Sequence, residues 1–190
     1  MMVHHKIRIV FKSFKQLLLI WLGVVAISAQ AQKYSLSEGV ITFFSEATLE
    51  NIKAENKNTT SAFDVTTGEI AFAVPNNQFQ FEKKLMQQHF NEKYMESEKY
   101  PRSTFSGKVE GFDASKTGKQ QVRATGKMFI HGVTQSVEIP GVLEVSTQGV
   151  SMKSTFMIKL ADYKIKIPQI LWQNIAEQVE VTVDLVYKPR

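Results

Sequence analysis

The chain of 190 residues contains no cysteine. That absence removes a disulfide framework, a lipid-modified cysteine anchor and any thiolate zinc or iron–sulfur site. Histidine is nearly as scarce. Of four in the chain, His4 and His5 sit at the extreme N-terminus, which leaves His89 and His131. No H-x-H or H-x-x-x-H pair exists, so a metal site would have to be built largely from carboxylates. A G-x-S-x-G elbow, a P-loop and a dinucleotide fingerprint are all missing. A serine triad would have to recruit one of the two histidines, neither of which lies in a recognisable catalytic context. Long hydrophobic runs are lacking too. The stretch from Leu17 to Ile27 falls well short of the ~20 apolar residues that a spanning helix needs. No internal repeat, low-complexity tract or linker interrupts the rest, which reads as one domain.

What the N-terminus does contain is an export pattern. Lys6, Arg8, Lys12 and Lys15 form a positive segment without an acid, the apolar run follows, and Ala29-Gln30-Ala31 closes it. That order predicts a secretory signal peptide over residues 1–31, cleaved after Ala31, and a mature domain over 32–190. The whole chain carries a formal charge of +5. Four of those charges lie before Gln32, so the mature part is close to neutral at +1. The high isoelectric point belongs largely to the leader and gives no support to nucleic-acid binding. The reading is a periplasmic or extracellular protein with no stable membrane anchor.

Beyond the leader, strict alternation dominates. Val122, Ala124, Gly126, Met128 and Ile130 share one face, opposite Arg123, Thr125 and Lys127. Val137, Ile139, Gly141, Leu143 and Val145 repeat the pattern, as do Val150, Met152, Phe156, Ile158 and Leu160. Val179, Val181, Val183, Leu185 and Tyr187 do so once more. Each run is a strand with one dry and one wet face. Thr67-Gly68, Thr117-Gly118 and Gln148-Gly149 supply hairpin glycines between such runs. Earlier strands are predicted at Val40–Glu46, Leu49–Ala54, Ser61–Val65, Glu69–Val74 and Thr104–Phe112, with a polar loop at Glu55–Thr60. Eight or nine strands joined by short hairpins describe an up-and-down barrel or a sandwich.

From Glu82 to Glu96 the apolar spacing becomes helical. Met86, Phe90 and Tyr94 recur at every fourth residue, flanked by Leu85 and His89, and Tyr100-Pro101 forces an extended exit. One helix in a sheet-rich chain predicts a cap on an open barrel end. A second short helix or turn is expected around Gln169–Ala176. His131 sits in the hairpin Ile130-His131-Gly132-Val133. It reads as a turn residue satisfied by nearby backbone groups rather than as a catalytic group.

The stretches "KYPRSTFSGKVEGF" and "VRATGKMFIHGVTQSVEIPGVLEV" resemble the YceI-like family of exported lipid-binding proteins. Tyr100, Pro101, Phe105, Gly126, His131, Gly132, Val133 and Thr134 match its signature, and Met128 stands where leucine is usual. "ADYKIKI" is similar to a later family segment, with Asp162 and Tyr163 kept and Lys164 in place of glycine. The resemblance implies an all-β fold, an extended eight-stranded antiparallel lipocalin-like barrel with one capping α-helix. It also implies a non-catalytic function without a cofactor, holding a polyisoprenoid or similar long-chain lipid, with a homodimer as a possible assembly. The dry faces then assign a lumen. Phe105, Met128, Ile130, Ile139, Phe156, Ile158, Val181 and Val183 would line it, and Leu85, Met86 and Phe90 would close it. Two alternatives stay open: a barrel filled by its own side chains, and a small outer-membrane barrel.

Overall fold

A computed structural model describes residues 33–46, 51–167 and 176–189. The strands are β1 (Lys33–Ser45), β2 (Ile52–Asn56), β3 (Thr60–Asp64), β4 (Glu69–Pro75), β5 (Gln80–Phe81) and β6 (Arg102–Glu110). They continue with β7 (Gly118–Ile130), β8 (Val133–Ser146), β9 (Gly149–Lys159) and β10 (Gln178–Pro189). All pairings are antiparallel, and β10 returns to β1 from Tyr34–Pro189 to Phe44–Glu180, which closes the sheet into a barrel.

Ten strands make an eight-stranded wall because two of its strands are broken. β2 and β3 both lie on β1 in one register. Ile41 faces Asn56, and six residues back Ser35 faces Ala62, six residues on. β4 and β5 lie on β3 and β2 in turn. Each break is stitched by a fully buried asparagine. The Asn56 amide donates to Pro75 O at 2.8 Å, and its carbonyl accepts from Asn58 N at 2.9 Å. The Asn76 amide donates to Tyr100 O at 2.6 Å, and its carbonyl accepts from Ser103 Oγ at 2.8 Å. A side-chain amide offers both donors and an acceptor, so it can satisfy backbone groups that a broken ladder leaves unpaired. The strand expected to begin at Leu49 is described only from Ile52, and the loop expected from Glu55 is confined to residues 57–59. β5 is a strand that the alternation did not reveal.

The long C-terminal strands keep the predicted phase. Along β7, Val122, Met128 and Ile130 are buried, while Arg123, Thr125 and Lys127 are exposed. Along β10, Val181, Val183, Leu185 and Tyr187 are buried and alternate with more open positions. The ladder between β8 and β9 runs only from Val142–Lys153 to Ser146–Gly149. Just above it lies Pro140, which has no N–H to donate, and its carbonyl is held instead by Ser154 Oγ at 2.6 Å.

The helix is shorter than its apolar pattern suggests. α1 spans Lys84–His89, and Phe90–Tyr94 then widens into a single π-turn, closed by a bond from Met95 N to Phe90 O at 2.8 Å. The second helix or turn expected around Gln169–Ala176 falls mainly on residues 168–175, outside the described residues. Among the described residues no helix is long and apolar enough to cross a membrane.

Candidate ligand cavity

The inside of the barrel has two unlike halves, divided by a stacked aromatic pair. Phe72 and Phe105 lie 5.2 Å apart, centroid to centroid. On the far side from α1 the barrel is solid. Phe63 sits 5.8 Å from Phe112 and 5.7 Å from Tyr187, and Val109, Leu143, Val150 and Leu185 are almost wholly buried around them. The Tyr187 hydroxyl donates to Ser61 Oγ at 2.7 Å, and Ser61 in turn donates to Ala71 O at 2.9 Å. Burial pushes the Tyr187 phenol up to about 12.

The sequence makes room for the dividing pair. Gly107 faces Gly126 across β6 and β7. A Cβ at either position would come within 2.9 Å of the Phe105 ring and within 2.4 Å of a backbone carbonyl oxygen. The two glycines therefore leave the volume that the Phe105 ring occupies. This gives a physical meaning to Gly126 in the motif.

On the α1 side lies a cavity of about 450 Å³, within the range of small-molecule sites. Its walls are Ile41 and Phe43 of β1, Met128 and Ile130 of β7, Phe156 and Ile158 of β9, and Val179, Val181 and Val183 of β10. Phe72 is its floor. Its roof includes Met86, His89, Phe90, Tyr94 and Met95. An aromatic cluster fastens the roof to the wall: Phe43 stacks on Phe90 at 5.4 Å, and Phe79 and Phe81 meet Phe90 at 5.4 and 5.1 Å. No lysine, arginine, aspartate or glutamate is among the described residues that line this space.

Eight of the eleven assigned lumen residues meet there: Met86, Phe90, Met128, Ile130, Phe156, Ile158, Val181 and Val183. Three do not. Phe105 is 1 % exposed and lies under the floor, in the solid half. Ile139 pairs with Ala124, beyond the Gly107–Gly126 rung from the cavity, so it belongs to the solid half as well. Leu85 is 61 % exposed. It lies about 100° around the helix from Met86 and so leaves the Met86–Phe90–Tyr94 stripe. Phe43 and Phe79 were missed, since β1 and the turn after β4 show no helical or alternating signal that points them inward.

His131 needs a correction. It is not held within its own turn. With φ 49° at His131 and 77° at Gly132, the hairpin is a two-residue turn with both central residues left-handed. A Cβ at Gly132 would meet the Tyr100 ring at 2.6 Å. The His131 ring reaches across the barrel end. Nδ1 is 3.1 Å from Tyr163 O, and Nε2 is 2.8 Å from a Glu96 carboxylate oxygen. Its edge also meets the Tyr100 ring at 4.7 Å. Glu96 and Lys164 are the other non-glycine residues with left-handed backbone among the described residues. All three strained positions thus gather where the exit from the roof meets the turn after β9. Such strain persists only where surrounding contacts hold it. His131 is a tertiary clamp for the segments beside the cavity.

Among the described residues no cluster of histidine and carboxylates could hold a metal ion. The YceI-like domain model matches residues 26–187. The chain belongs to the YceI-like family. No curated protein matches the sequence. Solved YceI-type structures carry the same fold at low identity. A polyisoprenoid-binding domain from Saccharophagus degradans superposes with a TM-score of 0.71 at 18% identity, over 83% of this chain and 98% of that one. BcnA from Burkholderia cenocepacia gives 0.66 at 17% identity, over 78% and 95%. The YceI protein of Campylobacter jejuni gives 0.60 at 15%, over 76% and 89%. The YceI-like barrel is therefore the fold of this chain.

Proposed function

We propose that this chain is an exported, non-catalytic carrier that holds the long apolar tail of an isoprenoid or fatty-acyl lipid in the α1-side half of its barrel. The observation that carries this reading is the continuous uncharged cavity of about 450 Å³ above a solid half of the same barrel. Walls of this kind are costly without a guest. Apolar walls of that extent stay in contact with water until a guest covers them, and covering them gains roughly 25 cal/mol per Å². Water is a poor substitute, because each molecule needs polar partners that these walls rarely offer. The polyisoprenoid-binding description of the Saccharophagus relative points to the same ligand class. Cleavage after Ala31 and release into the periplasm belong to this proposal and rest on the leader pattern.

The outer face argues against a membrane-embedded barrel. Lys153 pairs with Asp184 at 2.7 Å, and Arg123 pairs with Glu138, all four on the outside and exposed. A lipid-facing wall would need an apolar band at those positions. The test is mass spectrometry of an organic extract from the purified mature protein, with intact mass for its N-terminus. The expected result is a long-tailed lipid in near-stoichiometric amount on a chain that begins at Gln32. A lipid-free protein that also fails to take up a tailed lipid after refolding would sink the carrier reading.

A further inference from the structure

The cavity roof carries two polar side chains that no described residue engages by a hydrogen bond. His89 ends α1 and Tyr94 ends the π-turn that follows it, and both line the cavity. Neither has a hydrogen-bond partner among the described residues. The other polar groups on the lining are largely committed. Asn76 donates to Tyr100 O and Ser103 donates to Asn76, while Ser45 Oγ accepts from Ala176 N at 3.3 Å. Thr104 also borders the space, but it alternates along β6 with the inward-facing Ser103 and Phe105, so its hydroxyl falls on the outer face. The π-turn matters here, because single π-turns recur at functional sites. Tyr94 lines the same cavity as Met86, His89 and Phe90.

These groups suit one kind of ligand. A phosphate or diphosphate head is held by Arg, Lys or a run of backbone amides, and no lysine or arginine is among the described residues that line this space. Charge drawn into apolar walls without a counter-ion is strongly disfavoured. A phenol hydroxyl and an imidazole ring are instead isolated hydrogen-bonding groups. Burial raises the Tyr94 phenol above its ordinary value, so the hydroxyl keeps its proton at working pH. We infer that His89 and Tyr94 form the head-group site of the cavity, and that the head they hold is an uncharged oxygen function, a hydroxyl or carbonyl, on a long apolar tail. This rests on the carrier reading and narrows it from long-tailed lipids to those with a neutral head.

The test compares heads on one C20 isoprenoid carbon skeleton. Geranylgeraniol, geranylgeranyl diphosphate and the saturated hydrocarbon phytane are each equilibrated between delipidated protein and phosphatidylcholine vesicles, and Kd is referred to free lipid. The alcohol should bind at least about tenfold more tightly than the diphosphate. Tyr94→Phe and His89→Leu should each lower affinity for the alcohol about two- to tenfold more than affinity for phytane, the range of one neutral hydrogen bond. Thermal melting of each variant checks that the fold is kept. A diphosphate that binds as well as the alcohol overturns the inference. So do equal losses for alcohol and phytane. If phytane and the alcohol both fail to bind, the carrier reading falls and takes this one with it.

Discussion

Single residues carry more of the design than their exposure suggests, and Tyr187 is the case where burial alone makes a prediction. Its phenol is pushed up to about 12, from an ordinary value near ~10. The unfolded chain therefore releases this proton while the folded one still holds it. Stability is unaffected below pH ~10 and drains away between that value and about 12, by roughly 2–3 kcal/mol for a shift of this size. Urea titrations of the barrel domain and of its Tyr187→Phe variant, taken every half unit from pH 9 to 12, should show a steeper decline in the parent. Parallel curves would mean that the hydroxyl reaches water. His131 teaches the complementary lesson. Its hairpin position was legible from Gly132 and Thr134. Its partners were not, because Glu96 and Tyr163 lie 35 and 32 residues away. Nothing in a turn motif announces a contact of that range.

At the level of elements, legibility follows the number of faces in water. β7, β8, β9 and β10 each have one dry face, so period-two alternation placed them with the correct phase. The first half of the wall was harder to read. β2 and β4 end at buried asparagines, and β5 is only two residues long. A buried asparagine looks in a sequence like a loop residue, since its partners are backbone groups of other elements. Asn76 joins the end of β4 to the Tyr100–Pro101 exit from the roof: its amide reaches Tyr100 O, and its backbone N–H reaches Pro101 O at 2.9 Å. Asn76→Ala leaves Tyr100 O and the Ser103 hydroxyl buried without this partner, which should cost about 2–4 kcal/mol. Asn76→Asp keeps the acceptor for Ser103 but loses the donor and adds a buried charge, so it should cost more than alanine at pH 7. Equilibrium unfolding settles the order. An aspartate variant as stable as the alanine one would show that water enters the junction and that the stitch is dispensable.

For the whole molecule, the eight-strand count says only that a lumen can be filled or slim, and the protein does both in one barrel. Eight assigned lining residues reached the cavity because inward phase was legible. Phe105 and Ile139 failed because phase does not give height along the barrel axis, and the Gly107–Gly126 rung that sets the floor is visible only once the strands are in register. Height also makes the two halves respond differently to the same chemical change. Phe105→Ala removes a ring from close-packed surroundings, where truncation of an aromatic typically costs about 3–5 kcal/mol, and bound lipid should not alter that loss. Phe156 lines existing space, so Phe156→Ala enlarges a cavity instead of creating one, and should cost well under that range in delipidated protein. With a tailed lipid bound, the guest can settle into the vacated volume, and the loss should shrink further. Chemical denaturation of both variants, with and without geranylgeraniol, gives four numbers. A Phe156→Ala loss equal to that of Phe105→Ala and indifferent to lipid would mean that the α1-side half closes up in solution. The barrel would then be solid along its whole length, with no room for a carried tail.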